Sequence, residues 1–372
     1  MSLLKLFGLG ASEARATSPE RVVATETALS NHRSEFSEWH TASAREPSPT
    51  AAHASIRLAG DLAVVKADRP ARRIAADDLI FTMGSCFARN LEIALLDRGG
   101  RVVSIDLEAL DQPAFKDEHG DIRLGFFHRY TPQSMLQEFR RAFDEIPGWD
   151  DASSLIERYG DGWIDPHFAW LKQGDHSRDQ IITRRRVARE LTRRAAEAKV
   201  LVITLGLTES WRHRPTGLWL NKVSLPHLKR SPGAYELHLT PYEQILSHLE
   251  DTLELLRRHH RTGDLRLIVT VSPVPLSATF SGRDVVVANM DSKAALRAAA
   301  GAFALRHPEL VSYFPSYEIV MHSNPAQAFE VDRAHVSRRA VAAIIDQFLE
   351  AYVEGGAAAL SSGRLRAGVR AD

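Results

Sequence analysis

From Leu79 to Tyr352 the chain alternates short, continuously apolar runs with longer stretches whose apolar residues recur at helical spacing. The short runs, Leu79–Met83, Arg101–Ile105, Val200–Leu205, Leu265–Val271 and Leu310–Phe314, each predict a strand. The periodic stretches predict helices over Cys86–Arg98, Pro132–Phe143, Arg184–Lys199, Pro241–His259, Met290–His307 and Ser337–Tyr352. In the last of these, Ala340, Val341, Ile344, Ile345, Phe348, Leu349 and Tyr352 make one apolar stripe. Strands that alternate with helices imply parallel β-α-β units. The run VLVITL at 200–205 has almost no polar position, as expected of a strand covered on both faces. The expected fold is α/β: a three-layer α/β/α sandwich with a mostly parallel central sheet. Residues 106–131 and 146–183 carry little regular pattern and are read as insertions draped over the carboxyl end of that sheet.

The ends of the chain read differently. Residues 1–75 are rich in Ala, Ser, Thr, Arg and Glu and are expected to form a partly ordered extension. Within it, 34–40 has a helical look, and Phe36 and Trp39 are candidates for packing on the main domain, 76–354. Residues 355–372 read as a flexible tail. The 372 residues and 44% hydrophobic content allow a sizeable core. Lys plus Arg and Asp plus Glu number 47 each, so the net charge is zero, which argues against a nucleic-acid partner. The Arg184-Arg185-Arg186 run does not change this, because it opens a helix read as exposed. A single cysteine excludes internal disulfides and suits a reducing compartment. The amino-terminal apolar piece is interrupted by Lys5, and no apolar run is long enough for a membrane span. These features read as a cytoplasmic protein. The histidines lack metal-ligand spacing, and neither a Walker loop nor a dinucleotide fingerprint is present. No metal or required cofactor is therefore expected.

The candidate chemistry gathers where the first strand meets the first helix. Gly84, Ser85 and Cys86 follow an apolar run and precede Phe87, Leu91, Ala94 and Leu95 at helical spacing. A side chain on such a turn is exposed at the carboxyl end of a sheet. Unpaired amides and the helix dipole there favour negative charge, and a thiol tends toward thiolate. The plainer reading is a buried cysteine acting as a small hydrophobe. Far along the chain, Asp332-Arg333-Ala334-His335 precedes the last helix. Residues three apart in a tight turn can fold together, the carboxylate holding one ring nitrogen and leaving the other for a nucleophile. The plainer reading is an Asp that caps the backbone. Ser337 is expected to cap the last helix.

GSCFA at 84–88 resembles the motif that names the GSCFA-domain family, which is similar to the SGNH (GDSL-type) esterases and acyltransferases. On that resemblance Cys86 takes the slot of the nucleophilic serine, Gly84 that of the glycine and Ser85 that of the aspartate. His335 becomes the general base and Asp332 its orienting partner. The block Gly206-Leu207-Thr208-Glu209-Ser210-Trp211 resembles the SGNH block of glycine, any residue, asparagine and aspartate. Thr208 stands where the asparagine would be and can donate only through its hydroxyl. Asn289, Ser292 and Lys293 also resemble the family, with no role implied.

The resemblance implies an esterase or O-acyltransferase acting on ester or thioester bonds through a covalent acyl-enzyme on Cys86. Ser85 is the rival nucleophile. The substrate would be an acylated or hydroxylated small molecule or glycan, with acyl-CoA a candidate donor. Gly84, Ser85, Gly206, Thr208, Glu209, His167 and Asn289 are the candidates for oxyanion or substrate binding. His167, flanked by Trp163, Phe168 and Trp170, reads first as a satisfied core histidine and second as a pocket residue or alternative base. His128, Arg129 and Tyr130 are candidates for an anionic substrate. The alternative function is a non-catalytic carbohydrate-binding or scaffolding protein on the same fold.

Overall fold

A computed structural model describes residues 22–33, 36–39, 51–68, 70, 73–146, 156–168, 177–221, 223, 225–356 and 369–370. The chain divides into two compact units, Met1–Arg57 and Leu58–Asp372. The first contains α1 (Thr25–His32) and α2 (Ala54–Arg57). Its Arg57 lies over the Phe36 ring at 5.5 Å, and Trp39 is 64% exposed. Residues 36–39 form bends, not a helix, and the rest of the 34–40 stretch lies outside the described residues. So does most of the 355–372 tail.

The second unit spans Leu58–Asp372, and within it Ile74 bridges in parallel to Val353. It runs β1 (Leu79–Gly84), α3 (Cys86–Asp97), β2 (Arg101–Val102), α4 (Leu107–Leu110), β3 (Ile122–Arg123) and α5 (Pro132–Ala142). Next come β4 (Glu157–Tyr159), β5 (Gly162–Ile164), α6 (Arg178–Arg193), β6 (Val200–Leu205), β7 (Glu209–His213), β8 (Leu218–Leu220), α7 (Leu225–Arg230) and β9 (Tyr235–Leu239). The chain closes with α8 (Tyr242–His259), β10 (Arg266–Val271), α9 (Val285–Arg306), β11 (Val311–Tyr313), α10 (Ser316–Met321), α11 (Pro325–Ala328), α12 (Arg338–Tyr352) and β12 (Val369–Arg370).

The central sheet has the order β11-β10-β6-β1-β2 and is parallel throughout. Successive side chains of a strand point to opposite faces, and the two main apolar clusters follow that alternation. Phe81, Met83, Leu201, Ile203, Leu267 and Val269 pack under α5, α8 and α9. Ile80, Val200, Val202 and Ile268 pack under α3 and α12. The result is the three-layer arrangement that the pattern predicts. On α12, Ile344, Phe348, Leu349 and Tyr352 are all fully buried. Each such aliphatic or aromatic side chain contributes about 1.5–3 kcal/mol over its exposed state.

Two features depart from the sequence reading. Residues 209–239 form an antiparallel sheet, β8-β7-β9, inserted between β6 and α8. Glu209 at its start pairs with Leu239 at its end, and the Thr240 N–H donates to Thr208 O at 3.1 Å. Second, Arg184 and Arg185 are not an exposed basic face. They are 2% and 1% exposed, with Arg185 on Asp165 at 2.5 Å and Arg184 donating to the Ala114 carbonyl.

Candidate active site

β1, β6 and β10 leave the sheet in one row. Gly84 pairs with Thr204 and Thr204 with Thr270, so Cys86, Gly206 and Ser272 each lie two residues beyond that row. The row is the carboxyl edge, where open parallel sheets bind ligands. Gly84 is imposed by the closeness of β6. With a φ of +156°, a Cβ at this position would stand 2.6 Å from both Cβ and O of Thr204.

Cys86 is the first residue of α3, with Ser85 at the N-cap in extended conformation. The Ser85 hydroxyl makes no cap bond; it donates to Ser272 Oγ at 3.2 Å, and the residue is 2% exposed. Cys86 keeps intermediate exposure. Of the two neighbouring candidates, the serine is turned into the β10 exit and the thiol has the access. The first-turn amides of a helix lack intrahelical acceptors, and its dipole favours negative charge there.

The segment 124–131 crosses the row. Arg129 N–H donates to Gly84 O at 2.8 Å, and Tyr130 O accepts the amides of Gly206 at 3.0 Å and Leu207 at 2.9 Å. A Cβ on Gly206 would lie 2.8 Å from that Tyr130 oxygen. The Gly206 amide is therefore spent on the backbone. Thr208 is 8% exposed and its N–H donates to Ser292 Oγ at 3.1 Å; its hydroxyl makes no hydrogen bond among the described residues. Glu209 opens a strand and ties down the loop after β10, accepting from the Thr279 hydroxyl and from Phe280 N–H at 3.1 Å. Asn289 likewise holds that loop, its Oδ1 accepting Leu276 N–H at 3.1 Å. Glu209 and Asn289 thus shape the rim.

Two further groups act on the thiol: Lys293, which carried no role from sequence, and Tyr130, a candidate for an anionic substrate. Lys293 is fully buried, and its ammonium donates to Gly206 O and Val274 O, each at 2.7 Å. Burial, opposed by the negative charge of Cys86, brings this ammonium down to about 7. The Tyr130 phenol is pushed up by burial and then by the Cys86 charge, and its hydroxyl meets His128 Nδ1 at 3.1 Å. A signal for Lys293 was present in the sequence. It falls on the stripe of α9 that also carries Ala288, Leu296, Ala300 and Phe303, all buried.

Asp332 and His335 do fold together. The Phe329–Val336 bridge closes a loop in which Glu330 N–H donates to His335 O at 2.8 Å and Arg333 adopts a φ of 59°. Asp332 Oδ1 accepts the amides of Ala334 and His335, and Oδ2 accepts His335 Nδ1–H at 2.5 Å. Both readings of the turn thus hold at once: the carboxylate caps the backbone and orients the ring. The His335 bond, then these amides, hold the carboxylate at about 2. Ser337 caps α12 through Ala340 N–H at 3.1 Å. The last residue of α12, Tyr352, lines a cleft with Val200 and Arg266, the first residues of β6 and β10. α12 therefore begins at the carboxyl edge, the edge that carries Cys86. Val336 and Phe87, each next to one of these residues, share one apolar cluster with Val274. Among the described residues the polar partner of the His335 ring is Asp332, and no hydrogen bond joins it to Cys86.

His167 lies in the interior. It is fully buried, with Nε2 on Glu138 at 2.9 Å. Burial pushes the imidazole down to about 4, so it stays neutral and donates Nε2–H to the carboxylate. Arg129 also belongs to this network, 2.7 Å from Glu138, and is not available to an anionic substrate. Among the described residues, no group of three His, Cys, Asp or Glu could hold a metal, and no helix is long and apolar enough to cross a membrane.

The family model described as the GSCFA family matches residues 79–348, from β1 through most of α12. No curated protein matches the chain.

Proposed function

The chain belongs to the GSCFA family, and from that premise we propose that it is an esterase or O-acyltransferase working through an acyl-enzyme on Cys86. The observation that carries this reading is the accessible thiol opening α3 at the edge of the sheet where the Asp332–His335 pair is also formed. The thiolate attacks the acyl carbonyl carbon. The oxygen that becomes negative is met by first-turn amides of α3 and the Thr208 hydroxyl. The donor's leaving group departs as a thiolate, or from an activated ester as a stabilised oxyanion, neither of which needs a proton. Neutral His335, held through Nδ1–H by Asp332, then removes the proton of water or an alcohol as its oxygen attacks the thioester. The Cys86 thiolate is released.

Cysteine favours transfer over hydrolysis. A thioester intermediate exchanges with a thioester donor such as acyl-CoA at little free-energy cost and stays reactive toward a hydroxyl. The acceptor class that fits is a hydroxylated small molecule or glycan, in the cytoplasm. Intact mass after mixing with acetyl-CoA or an activated acetate ester tests the reading. An acetyl adduct on the wild type and on Ser85→Ala, absent from Cys86→Ala, is expected. An adduct that survives Cys86→Ala would move the nucleophile elsewhere. No adduct on folded wild type would favour a non-catalytic carbohydrate-binding protein, a reading that the Thr208 side chain and the engaged Gly206 amide also fit.

A further inference from the structure

The ammonium of Lys293 differs from the buried cations that meet a carboxylate. Arg129 and Arg141 meet Glu138, Arg185 meets Asp165 and Arg89 meets Glu92, at 2.7, 3.0, 2.5 and 2.8 Å. Lys293 is fully buried, yet both of its acceptors, Gly206 O and Val274 O, are neutral carbonyls. Among the described residues no carboxylate touches it. A buried cation held only by carbonyls either gives up its proton or takes an anion as neighbour.

Next to the β6 exit that Lys293 holds runs the exit of β1, which carries Cys86, the anion whose charge acts on this ammonium. Lys293 holds the carbonyl of Gly206, two residues beyond Thr204; Cys86 is two residues beyond Gly84, which pairs with Thr204. The second carbonyl, Val274, follows Ser272, which is bonded to Ser85. The ammonium is thus anchored on the exits of β6 and β10, the two strands that follow β1 on one side of the sheet. Tyr130 is another titratable group whose charge interacts with Cys86, and His128 Nδ1 meets its hydroxyl at 3.1 Å. Arg129 is engaged by Glu138, and His335 by Asp332.

We propose that Lys293 is a positioning residue that shares one proton with Cys86, making the thiol a nucleophile and leaving His335 to serve the acceptor hydroxyl. In activation the S–H bond breaks, the sulfur keeps the electron pair, and a third N–H forms on the Lys293 amine. The thiolate then attacks with the ammonium beside it. When the acyl group departs to the acceptor, the returning thiolate meets the same ammonium. Two basic groups thereby divide the two half-reactions. The purpose of this device rests on Cys86 being the acyl-accepting nucleophile; its detection does not.

The test is the rate of alkylation of Cys86 by iodoacetamide against pH, in the full chain. Wild type is expected to show a midpoint at least about one pH unit below the ~8.5 of a free cysteine. Lys293→Met should raise the midpoint by about one pH unit or more and slow alkylation at neutral pH up to about tenfold. Lys293→Arg, charged at every pH used, should keep the low midpoint, and His335→Ala should leave it where it is. A wild-type midpoint near that of free cysteine overturns the proposal, and this outcome stands even if Lys293→Met fails to fold. A Lys293→Met midpoint equal to wild type, or a midpoint that moves with His335→Ala instead, overturns it as well. A low, Lys293-dependent midpoint without an acetyl adduct would sink the acyl-enzyme reading and leave the proton sharing intact.

Discussion

The Glu138 network and the Lys293 pocket bury charge by opposite means. Around Glu138 every charge meets its opposite: Arg129, Arg141 and the neutral His167 converge on one carboxylate. Burial alone would raise that carboxyl, but Arg129, Arg141 and the His167 bond hold it well below its ordinary range. Its protonation state is fixed at working pH, which suits a structural part. At Lys293 the fixed partners are dipoles, so the proton is held loosely and a nearby thiol can take part in the balance. A closed set of ion pairs stabilises shape, whereas an open one leaves a proton available for chemistry.

Breaking the open side should have the largest effect. Cys86→Ala removes the anion and is expected to abolish the acyl adduct and lower turnover by about a thousandfold or more, read by single-turnover assays. His335→Ala should reduce transfer by about a hundred- to ten-thousandfold, while the adduct from a thioester donor still forms. An adduct lost together with transfer would place His335 in the first half-reaction.

The closed side is broken by Glu138→Ala, which leaves Arg129 and Arg141 buried without their anion. It should cost about 3–5 kcal/mol in denaturant unfolding, and the alkylation midpoint of the surviving folded fraction should not move. Gly206→Ala tests the hinge between the two sides. The added methyl meets the Tyr130 oxygen at 2.8 Å, and a cost of about 1–3 kcal/mol is expected, with a shifted thiol midpoint as the carbonyl held by Lys293 moves.

The mildest probe is acid. His167 is held down at about 4 by burial, so the unfolded chain binds a proton that the folded chain does not once pH drops below ~6.5. Stability from this group is complete above ~6.5 and is lost as pH falls toward 4, by on the order of 3 kcal/mol. Glu138, whose carboxyl is depressed, adds a further loss below its unfolded value of ~4.3. Thermal melts between pH 7 and 4 should show this fall. In His167→Gln the part between 6.5 and 4.5 should flatten; an unchanged profile would mean that His167 is not the acid-sensitive group.

Much of the parallel core could be read from sequence because apolar runs and helical stripes leave few alternatives. β1, β6, β10, α3, α5, α8 and α12 fall where the pattern puts them, within a residue or two. α9 starts five residues before the expected Met290, at Val285. Its first turn, Val285-Val286-Val287, is β-branched and largely exposed, so it carries no helical stripe, and the start is set by Asp284 capping Val286 N–H at 2.8 Å. The antiparallel insertion was hidden because ESWRH and YELHL are short, polar and only half-buried. Local contacts made the Asp332–His335 turn readable. His167 could be read as a core histidine and Lys293 lies on a buried stripe, but their partners, and the burial of Arg184 and Arg185, could not be read, because those partners lie far away in sequence and periodicity cannot say which charge will find a distant one.

The β7–β9 sheet leaves and rejoins the main chain path at one narrow neck, where Thr240 N–H closes on Thr208 O. Such a neck makes residues 209–239 a cassette. Its length and surface are free to drift over evolutionary time, or to be exchanged by an engineer, while β6 and α8 keep their course. One foot of the cassette is Glu209, which fastens the loop at Thr279 and Phe280. A new cassette would therefore re-cut the rim of the candidate site and leave Cys86 where it is, so that what the rim admits can change independently of the thiol.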